Sequence, residues 1–304
     1  MFDKIVVPVD GSDFGELSLP MALGIACKSG GQVHVVTVVT PLPSPQPTDE
    51  WVAVEAERLS VAREHAETYQ EELRDRVVLA GCDAPVSCHV EEGAVVDELD
   101  AHVRRVEADL LVMTTHGRGP LRRAWLGSVA DGLIRHTPCP ILAIRPREGE
   151  KVKLERREFR RILVPLDGSR ESRAILPRAR ELATLFDASL TLLRVIPPHF
   201  PLSSPYIPHA AQEMRAHDLE EDAAREALEE EAAELRADGF RVDSHTVMGA
   251  HPAEEITGLA EAEEMDLVAM TTHGRGGVSR LVLGSVADKV VRGANIPVLL
   301  NRAS

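Results

Sequence analysis

Two adjoining runs decide the fold of this chain: Leu110-Leu111-Val112-Met113-Thr114-Thr115-His116-Gly117-Arg118-Gly119 and, shortly after, Leu126-Gly127-Ser128-Val129-Ala130-Asp131. The first is an apolar run of strand length that ends in small and polar residues and a glycine-bearing loop. The second opens a helix at Gly-Ser. Because the first N–H groups of a helix lack partners within it and lie at the positive end of its dipole, the arrangement predicts a site for a phosphate or another anion.

Three features of this loop favour an anion site. Ser128 followed by Asp131 matches the Ser-x-x-acid capping signature, which predicts that the serine caps the helix and the acid reaches back to it. Gly117 and Gly127 allow the backbone to approach a ligand closely. Arg118 adds positive charge to the same loop.

The same pattern occurs a second time in the chain. Residues 267–276 repeat the strand and loop, and residues 283–288 repeat the helix start and its capping signature. The offset from Asp10 to Asp167, and from Gly127 to Gly284, is 157 residues in both cases. This constant offset predicts a tandem repeat of two domains, 1–147 and 159–304, joined by a charged linker.

Strand-like and helix-like runs alternate through both halves. Strands are predicted at 4–9, 32–39, 86–91, 110–114 and 141–144, and again at 161–166, 189–196, 241–248, 267–271 and 298–301. Helices are predicted at 13–28, 50–79, 95–106 and 128–136, and again at 171–186, 209–237, 252–263 and 285–292. The alternation predicts an α/β fold with two doubly wound five-stranded parallel sheets and helices on both faces.

The composition narrows the class of protein. Of the 304 residues 44% are apolar but only 3% are aromatic, so the cores must be aliphatic, which suits buried parallel strands. A formal net charge of −15 would repel a nucleic acid. No run has the length to cross a bilayer, no signal-peptide pattern opens the chain, and the four cysteines lack paired metal-ligand spacing. We therefore expect a cytoplasmic protein that neither binds nucleic acid nor inserts into a membrane.

The two halves share a second chemical feature, an Asp-Gly-Ser after the first strand. In sheets of this kind ligands bind beyond the carboxyl ends of the strands, where the strand order reverses. Asp10 and Asp167 suit a sugar hydroxyl or a base amine, and the Gly-Ser helix start suits a phosphate, so a nucleoside-phosphate site is predicted in each half. Simpler explanations compete, because Asp-Gly-Ser is often a turn and a helix cap. Loop histidines such as His116 and His273 are also more often solvated than catalytic.

At these residues the chain resembles the universal stress protein family, specifically its members with two tandem domains. The nucleotide-binding branch of that family carries Gly-x-x-Gly, nine residues, and then Gly-Ser or Gly-Thr. Nine residues separate Gly117 from Gly127-Ser128, and nine separate Gly274 from Gly284-Ser285. The resemblance implies sheets of strand order 3-2-1-4-5, a Rossmann-like fold of the adenine nucleotide alpha hydrolase type.

The resemblance also implies the residues of each site. Adenine or ribose would be met by Asp10 and Asp167, by Val9 and Leu166 beside them, and by the backbone of Val38 and Val195. The ribose and phosphates would be lined by Met113, Thr114, His116, Gly117, Gly127, Ser128 and Val129 in the first half, and by Met270, Thr271, His273, Gly274, Gly284, Ser285 and Val286 in the second. The loop residues Arg118 and Arg275 would add charge. Magnesium or manganese can accompany the phosphates, although no carboxylate cluster marks a dedicated metal cage.

Three functions are compatible with these features. The expected one is a regulatory protein whose occupancy by ATP or another adenine nucleotide changes how it meets a protein partner. A slow ATP hydrolase or phosphotransferase is the second, although no carboxylate is clearly poised as a base. The third is an interaction module that has lost the nucleotide, which is supported by threonine at 114 and 271 in place of the family's first glycine. The resemblance further implies an intramolecular pseudo-dimer in which strands 141–144 and 298–301 pair, and it leaves a homodimer open.

Overall fold

The chain folds into two compact units, Met1–Glu158 and Phe159–Ser304. The computed structural model describes residues 2–44, 48–81, 83–115, 126–146, 152–198, 210–272 and 283–302. Six of the predicted site residues lie outside these ranges, namely His116, Gly117, Arg118, His273, Gly274 and Arg275.

The described residues of the first unit form five strands and five helices. In chain order they are β1 (Lys4–Pro8), α1 (Asp13–Glu16), α2 (Leu19–Ser29), β2 (Gln32–Val39), α3 (Asp49–Leu79), β3 (Val86–Glu92), α4 (Val95–Val106), β4 (Leu110–Thr114), α5 (Ser128–His136) and β5 (Ile141–Ile144). All the strand pairs are parallel, and the order across the sheet is β3-β2-β1-β4-β5.

The second unit repeats this arrangement. Its elements are β6 (Arg161–Pro165), α6 (Arg170–Arg173), α7 (Leu176–Phe186), β7 (Ser189–Ile196), α8 (Ala210–Ala237), β8 (Val242–Met248), α9 (Pro252–Ala262), β9 (Leu267–Thr271), α10 (Ser285–Gly293) and β10 (Val298–Asn301). The strand order is β8-β7-β6-β9-β10, again all parallel. The predicted α/β fold, with two five-stranded parallel sheets in the order 3-2-1-4-5, is therefore confirmed.

The core of each unit lies along the central strands. Ile5, Val6 and Val7 of β1 are fully buried, and so are Ile162 and Leu163 of β6. Helices cover both faces of a parallel sheet, so consecutive side chains of a central strand are apolar rather than alternating. Each fully buried valine, leucine or isoleucine contributes about 1.5–3 kcal/mol relative to exposure.

The single first helices predicted at 13–28 and 171–186 are wrong. Each is two helices, α1 and α2 in the first unit and α6 and α7 in the second, with a break before a proline in the first turn of the later helix. Pro20 and Pro177 lack an N–H, and a proline ring clashes with the carbonyl four residues earlier. The earlier helix therefore cannot continue through these positions.

The fold also bears on disulfide bonds and on membrane insertion. Cys27, Cys88 and Cys139 are not in disulfide bonds, and Cys82 lies outside the part of the chain that the structure describes. Among the helices that are described, none combines the length and the apolar character needed to cross a membrane.

Candidate functional site

The strand order brings the two predicted halves of each site to one edge of the sheet. β1 lies between β2 and β4, and β6 lies between β7 and β9. The strand order reverses between β1 and β4, which is where doubly wound sheets open a crevice. The turn after β1 and the segment after β4 therefore lie at the same carboxyl edge, and β6 and β9 repeat the arrangement.

The Asp-Gly-Ser segments form the turn and helix cap that the simpler explanation predicted. Asp10 Oδ1 accepts from Ser12 N (3.0 Å) and Ser12 Oγ (2.5 Å), and Ser12 Oγ accepts from Gly15 N (3.2 Å). Gly11 has a φ of 74°, in the left-handed region that favours glycine. The turn holds the carboxylate at the sheet edge, and any contact with a ligand is additional to this structural role.

The second unit builds the same turn. Asp167 Oδ1 accepts from Ser169 N (2.9 Å) and Ser169 Oγ (2.5 Å), and Ser169 Oγ accepts from Ser172 N (3.0 Å). Gly168, with a φ of 80°, takes the place of Gly11. Asp167 is half-buried whereas Asp10 is exposed, so the second carboxylate lies in the more enclosed environment.

The segments after β4 and β9 return to the point where they leave the sheet. Gly127 N donates to Thr115 O (2.9 Å), and Thr115 N donates to Ile144 O (2.9 Å). Gly284 N donates to Thr272 O (2.8 Å) in the same way. The first turns of α5 and α10 are therefore fixed beside the ends of β4 and β9, where an anion site was predicted.

The predicted serine caps on these helices are wrong. The N-cap residues are Gly127 and Gly284, neither helix has a side-chain cap, and the serines are the first helical residues. Asp131 does not reach back to the helix start but accepts from Arg135 Nε and Nη2 (both 2.9 Å). A two-point contact with a guanidinium one turn later is stronger than a single bond to a backbone amide. The first-turn amides are consequently left without a side-chain cap.

The other predicted residues divide into buried and accessible groups. Val9, Leu166, Met113, Met270 and Thr271 are buried, which agrees with a packing role for the methionines. Val38, Val195, Thr114, Val129 and Val286 are half-buried, whereas Ser128 and Ser285 are exposed. Val9 and Leu166 follow β1 and β6 rather than ending them, yet each continues the ladder by donating its amide to Val36 O (2.9 Å) or Leu193 O (2.8 Å).

A cavity of about 760 Å³ opens at the carboxyl edge of the second unit. Three predicted residues, Leu166, Asp167 and Val195, line it. Its apolar wall on α8 includes Ala223, Ala224, Ala227 and Leu228, and charged side chains that sequence reasoning missed are Arg173, Arg194, Glu220 and Glu231.

Arg194 is the most informative of the missed residues. Its Nη1 donates to Leu166 O (3.4 Å), and a side chain at Gly168 would collide with its guanidinium. The guanidinium therefore lies directly over the Asp167-Gly168 turn. The sequence does contain a signal for Arg194. It is a charged residue within a strand, and the equivalent residue in the first half is the uncharged Thr37.

The two edges also differ by a reversed ion pair. Glu16, at the end of α1, is 4% exposed, pairs with Arg76 and accepts from Tyr69 Oη (3.0 Å). Burial and then the charge of Glu16 raise the pKa of Tyr69. At the corresponding end of α6 stands Arg173, which pairs with Glu231 (2.9 Å) and has 49% of its side chain exposed. The first unit thus has a buried carboxylate, Glu16, at the position where the second unit has a half-exposed guanidinium, Arg173.

Each unit has an open parallel sheet whose strand order reverses, and a helix without a side-chain cap starts beside the reversal. These features define the class of doubly wound α/β domains with a crevice at the sheet edge. The model of the universal stress protein family matches residues 1–145 and again residues 158–302. The chain belongs to this family, with two tandem copies of its domain.

Relatives support this assignment, and a solved structure has the same fold. A universal stress protein of Methanocaldococcus jannaschii is 32% identical over 47% of this chain and 81% of its own length. One from Mycobacterium tuberculosis is 29% identical over 98% of this chain and 94% of its own. A crystal structure of a universal stress protein from Archaeoglobus fulgidus covers 99% of this chain and 97% of its own, with a TM-score of 0.68 at 20% identity. At that identity the structure shows the common fold alone.

Proposed function

We propose that this universal stress protein is a regulatory protein of the stress response that binds ATP or a related adenine nucleotide at the carboxyl edges of its sheets. The cavity of about 760 Å³ in the second unit carries the proposal, because Leu166, Asp167 and Val195 line it. A volume in this range suits a ligand of nucleotide size.

The residues around the cavity match the parts of a nucleotide. Val195 and the alanines of α8 offer an apolar surface for a base, and Asp167 can accept from a ribose hydroxyl or a base amine. The start of α10 lies at the same carboxyl edge and is not among the described residues that line the cavity; it has no side-chain cap and offers backbone amides and a positive dipole to phosphates. Arg194 supplies positive charge beside the Asp167 turn, while Arg173 lies in an ion pair with Glu231, and Glu220 also lines the cavity.

The first unit has the same backbone arrangement but fewer positively charged side chains that could attract a phosphate. Thr37 stands where the second unit has Arg194, and Glu16 stands where it has Arg173. A phosphate is attracted less by such an edge. We therefore propose that the second unit holds the nucleotide more tightly than the first.

The carboxylates that line the cavity of the second unit are consistent with binding of ATP without rapid hydrolysis. Among the described residues, three carboxylates line the cavity. Asp167 is engaged by Ser169 and Glu231 pairs with Arg173, so these two already have strong partners, and Glu220 is an exposed residue of α8. A general base must instead reach an attacking water. Steady phosphate release that disappears in a His116→Ala, His273→Ala double variant would favour a hydrolase in place of this proposal.

Thermal unfolding with ATP and magnesium tests the proposal. A ligand at one hundred times its Kd stabilises a folded protein by about 2.7 kcal/mol, so the Tm of the wild type should rise by several degrees. Gly127→Val combined with Gly284→Val should abolish that rise and keep the Tm without ligand. Gly127 has φ −59° and ψ 148°, and Gly284 has φ −60° and ψ 147°, both open to any residue, so the substitutions add bulk at the helix starts without backbone strain.

A matched control comes from the surface of α9. Gly258 has open space around it, and Gly258→Val should leave the nucleotide response unchanged. No Tm rise in the wild type would refute nucleotide binding and favour a family interaction module. An unchanged rise in the double variant would move the site away from these helix starts.

A further inference from the structure

Three histidines of the first unit meet on the sheet face that α4 covers. His34 of β2 and His89 of β3 lie on the same face, because His34 is paired with Ser87 and His89 follows two residues later. His102 of α4 packs against both rings, with centroid separations of 5.9 Å to His34 and 4.6 Å to His89. One nitrogen from each ring can be chosen so that all three lie within 4.8 Å of one another. In the described part of the chain this is the one such group of three or more potential ligands.

The spacing of the first two rings suits a metal ion. His34 Nδ1 lies 3.2 Å from His89 Nε2, and Ser87 Oγ lies 3.0 Å from each of these nitrogens. Two nitrogens bound to zinc at 2.0–2.1 Å in tetrahedral geometry are about 3.3–3.4 Å apart. The pair is therefore already near the separation that one ion requires.

The third ring is held as metal-binding histidines usually are. His102 is fully buried, and its Nδ1 lies 2.9 Å from Glu91 Oε1. Arg105 pairs with Glu91 and places its Nη2 2.7 Å from the same ring nitrogen. In the tautomer that carries its proton on Nδ1, His102 donates to Glu91, which orients the ring and leaves Nε2 as the ligand atom, whereas in the other tautomer Nδ1 accepts from Arg105.

One ring of the cluster has a nitrogen that the fold leaves unsatisfied and that an ion could contact. His102 Nε2 is buried and has no hydrogen-bond partner among the residues described, and His102 is 0% exposed. His34 Nε2 is also buried without a partner, but His34 faces His89 through Nδ1, so its Nε2 is not the atom that the ion would contact. The unsatisfied atom that supports an ion is therefore His102 Nε2.

We propose that His34, His89 and His102 form a binding site for a divalent transition-metal ion, and that zinc is the ion this donor set fits best. Three imidazoles suit zinc, and a fourth position can be filled by water or by the nearby Ser87 hydroxyl. His89 is half-buried rather than fully buried, which gives the ion a route from solvent. The site is separate from the nucleotide edge and does not depend on the proposed function.

The second unit provides an internal comparison. Its positions equivalent to His34, His89 and His102 are Thr191, His245 and Leu259. Only one imidazole remains there, so that unit cannot form the same site. It also shows that this fold accommodates threonine and leucine at the other two positions, with Thr191 buried at 4% exposure.

Metal titration of the full chain, stripped with a chelator, tests the proposal. We expect one Zn²⁺ per chain in competition with a chromophoric chelator, and one Co²⁺ with the visible absorption typical of four-coordinate cobalt. His34→Thr combined with His102→Leu should weaken Zn²⁺ binding by about 100-fold or more while leaving the metal-free Tm and circular dichroism unchanged. His245→Leu, the matched control in the second unit, should bind Zn²⁺ as the wild type does.

Three results would overturn the proposal: a folded wild type that binds no stoichiometric Zn²⁺, a double variant with wild-type affinity, or a His245→Leu variant that loses the ion. If the double variant does not fold, His89→Gln decides the question, because His89 is the more accessible ligand. That variant should lose at least about tenfold in Zn²⁺ affinity and lose the Zn²⁺-dependent rise in Tm. Retention of both would contradict the site.

Discussion

The carboxyl edges of the two sheets carry the same sequence motifs, and single residues around those motifs make the two edges different. The repeated residues were predictable, since Asp10 and Gly127 return at a constant offset and the repetition marks them. Arg194 was missed because it has no repeated counterpart and belongs to a strand that reads as core. The three histidines were missed for another reason: they are far apart in sequence on two strands and a helix, and only the fold brings them together.

Replacing Arg194 by threonine, its counterpart in the first unit, should weaken ATP binding by the second unit about tenfold. The guanidinium lies over the Asp167 turn, where it can offset phosphate charge, and loss of one charge-assisted contact costs about 1.5 kcal/mol. Isothermal titration in a Gly127→Val background isolates the second unit. Arg241→Thr is the control, because Arg241 precedes β8 at the opposite edge and pairs with Asp187. Equal losses from both substitutions would show a general charge effect instead.

At the scale of elements, local patterns predicted most of the architecture. The strands were found to within a residue because buried parallel strands are short aliphatic runs bounded by polar residues. The predicted first helix of each unit runs through Pro20 and Pro177 because apolar periodicity continues across the break, whereas in the structure the proline starts a separate helix. The serine caps failed for a different reason, since Arg135 and Arg292 compete for the acids that should have closed the capping box.

The connection from β2 to α3 should depend on pH through one carboxyl group. Glu55 Oε1 accepts from Leu42 N (2.7 Å), and Arg58 donates both to Glu55 and to Thr40 O (2.9 Å). The hydrogen bond from Arg58 and then that from Leu42 lower the pKa of Glu55 to about 2. Because this pKa is lowered, the stabilisation is present above the ordinary value of about 4.5 and is lost as the pH falls from there through about 2.

An NMR titration of the Leu42 amide measures this effect. Its chemical shift should follow a midpoint near pH 2 in the wild type, and Glu55→Gln should remove that transition. Glu57→Gln, an exposed neighbour on the same helix, should leave it in place. A midpoint near 4.5 in the wild type would mean that Glu55 does not hold the connection.

At the scale of the whole molecule, two units of one fold have acquired different chemistry. The first carries the histidine cluster and a buried Glu16, and the second carries a cavity lined by Arg173 and Arg194. Fold and family could be predicted from the sequence, because the alternation of strands and helices and the glycine motifs occur in both halves. The differences could not, because they depend on which side chains face each other across elements. Pairing of the halves through 141–144 and 298–301 stays a prediction.

Equilibrium titration of the full chain with ATP and magnesium tests the central claim most directly, with the wild type compared with Gly127→Val, Gly284→Val and the double variant. We predict saturable binding to the wild type, loss of the tighter site in Gly284→Val, retention of that site in Gly127→Val, and no binding in the double variant. Binding of ATP by the double variant with wild-type affinity, or no binding by the wild type, would contradict the claim that these helix starts hold the phosphates of an adenine nucleotide.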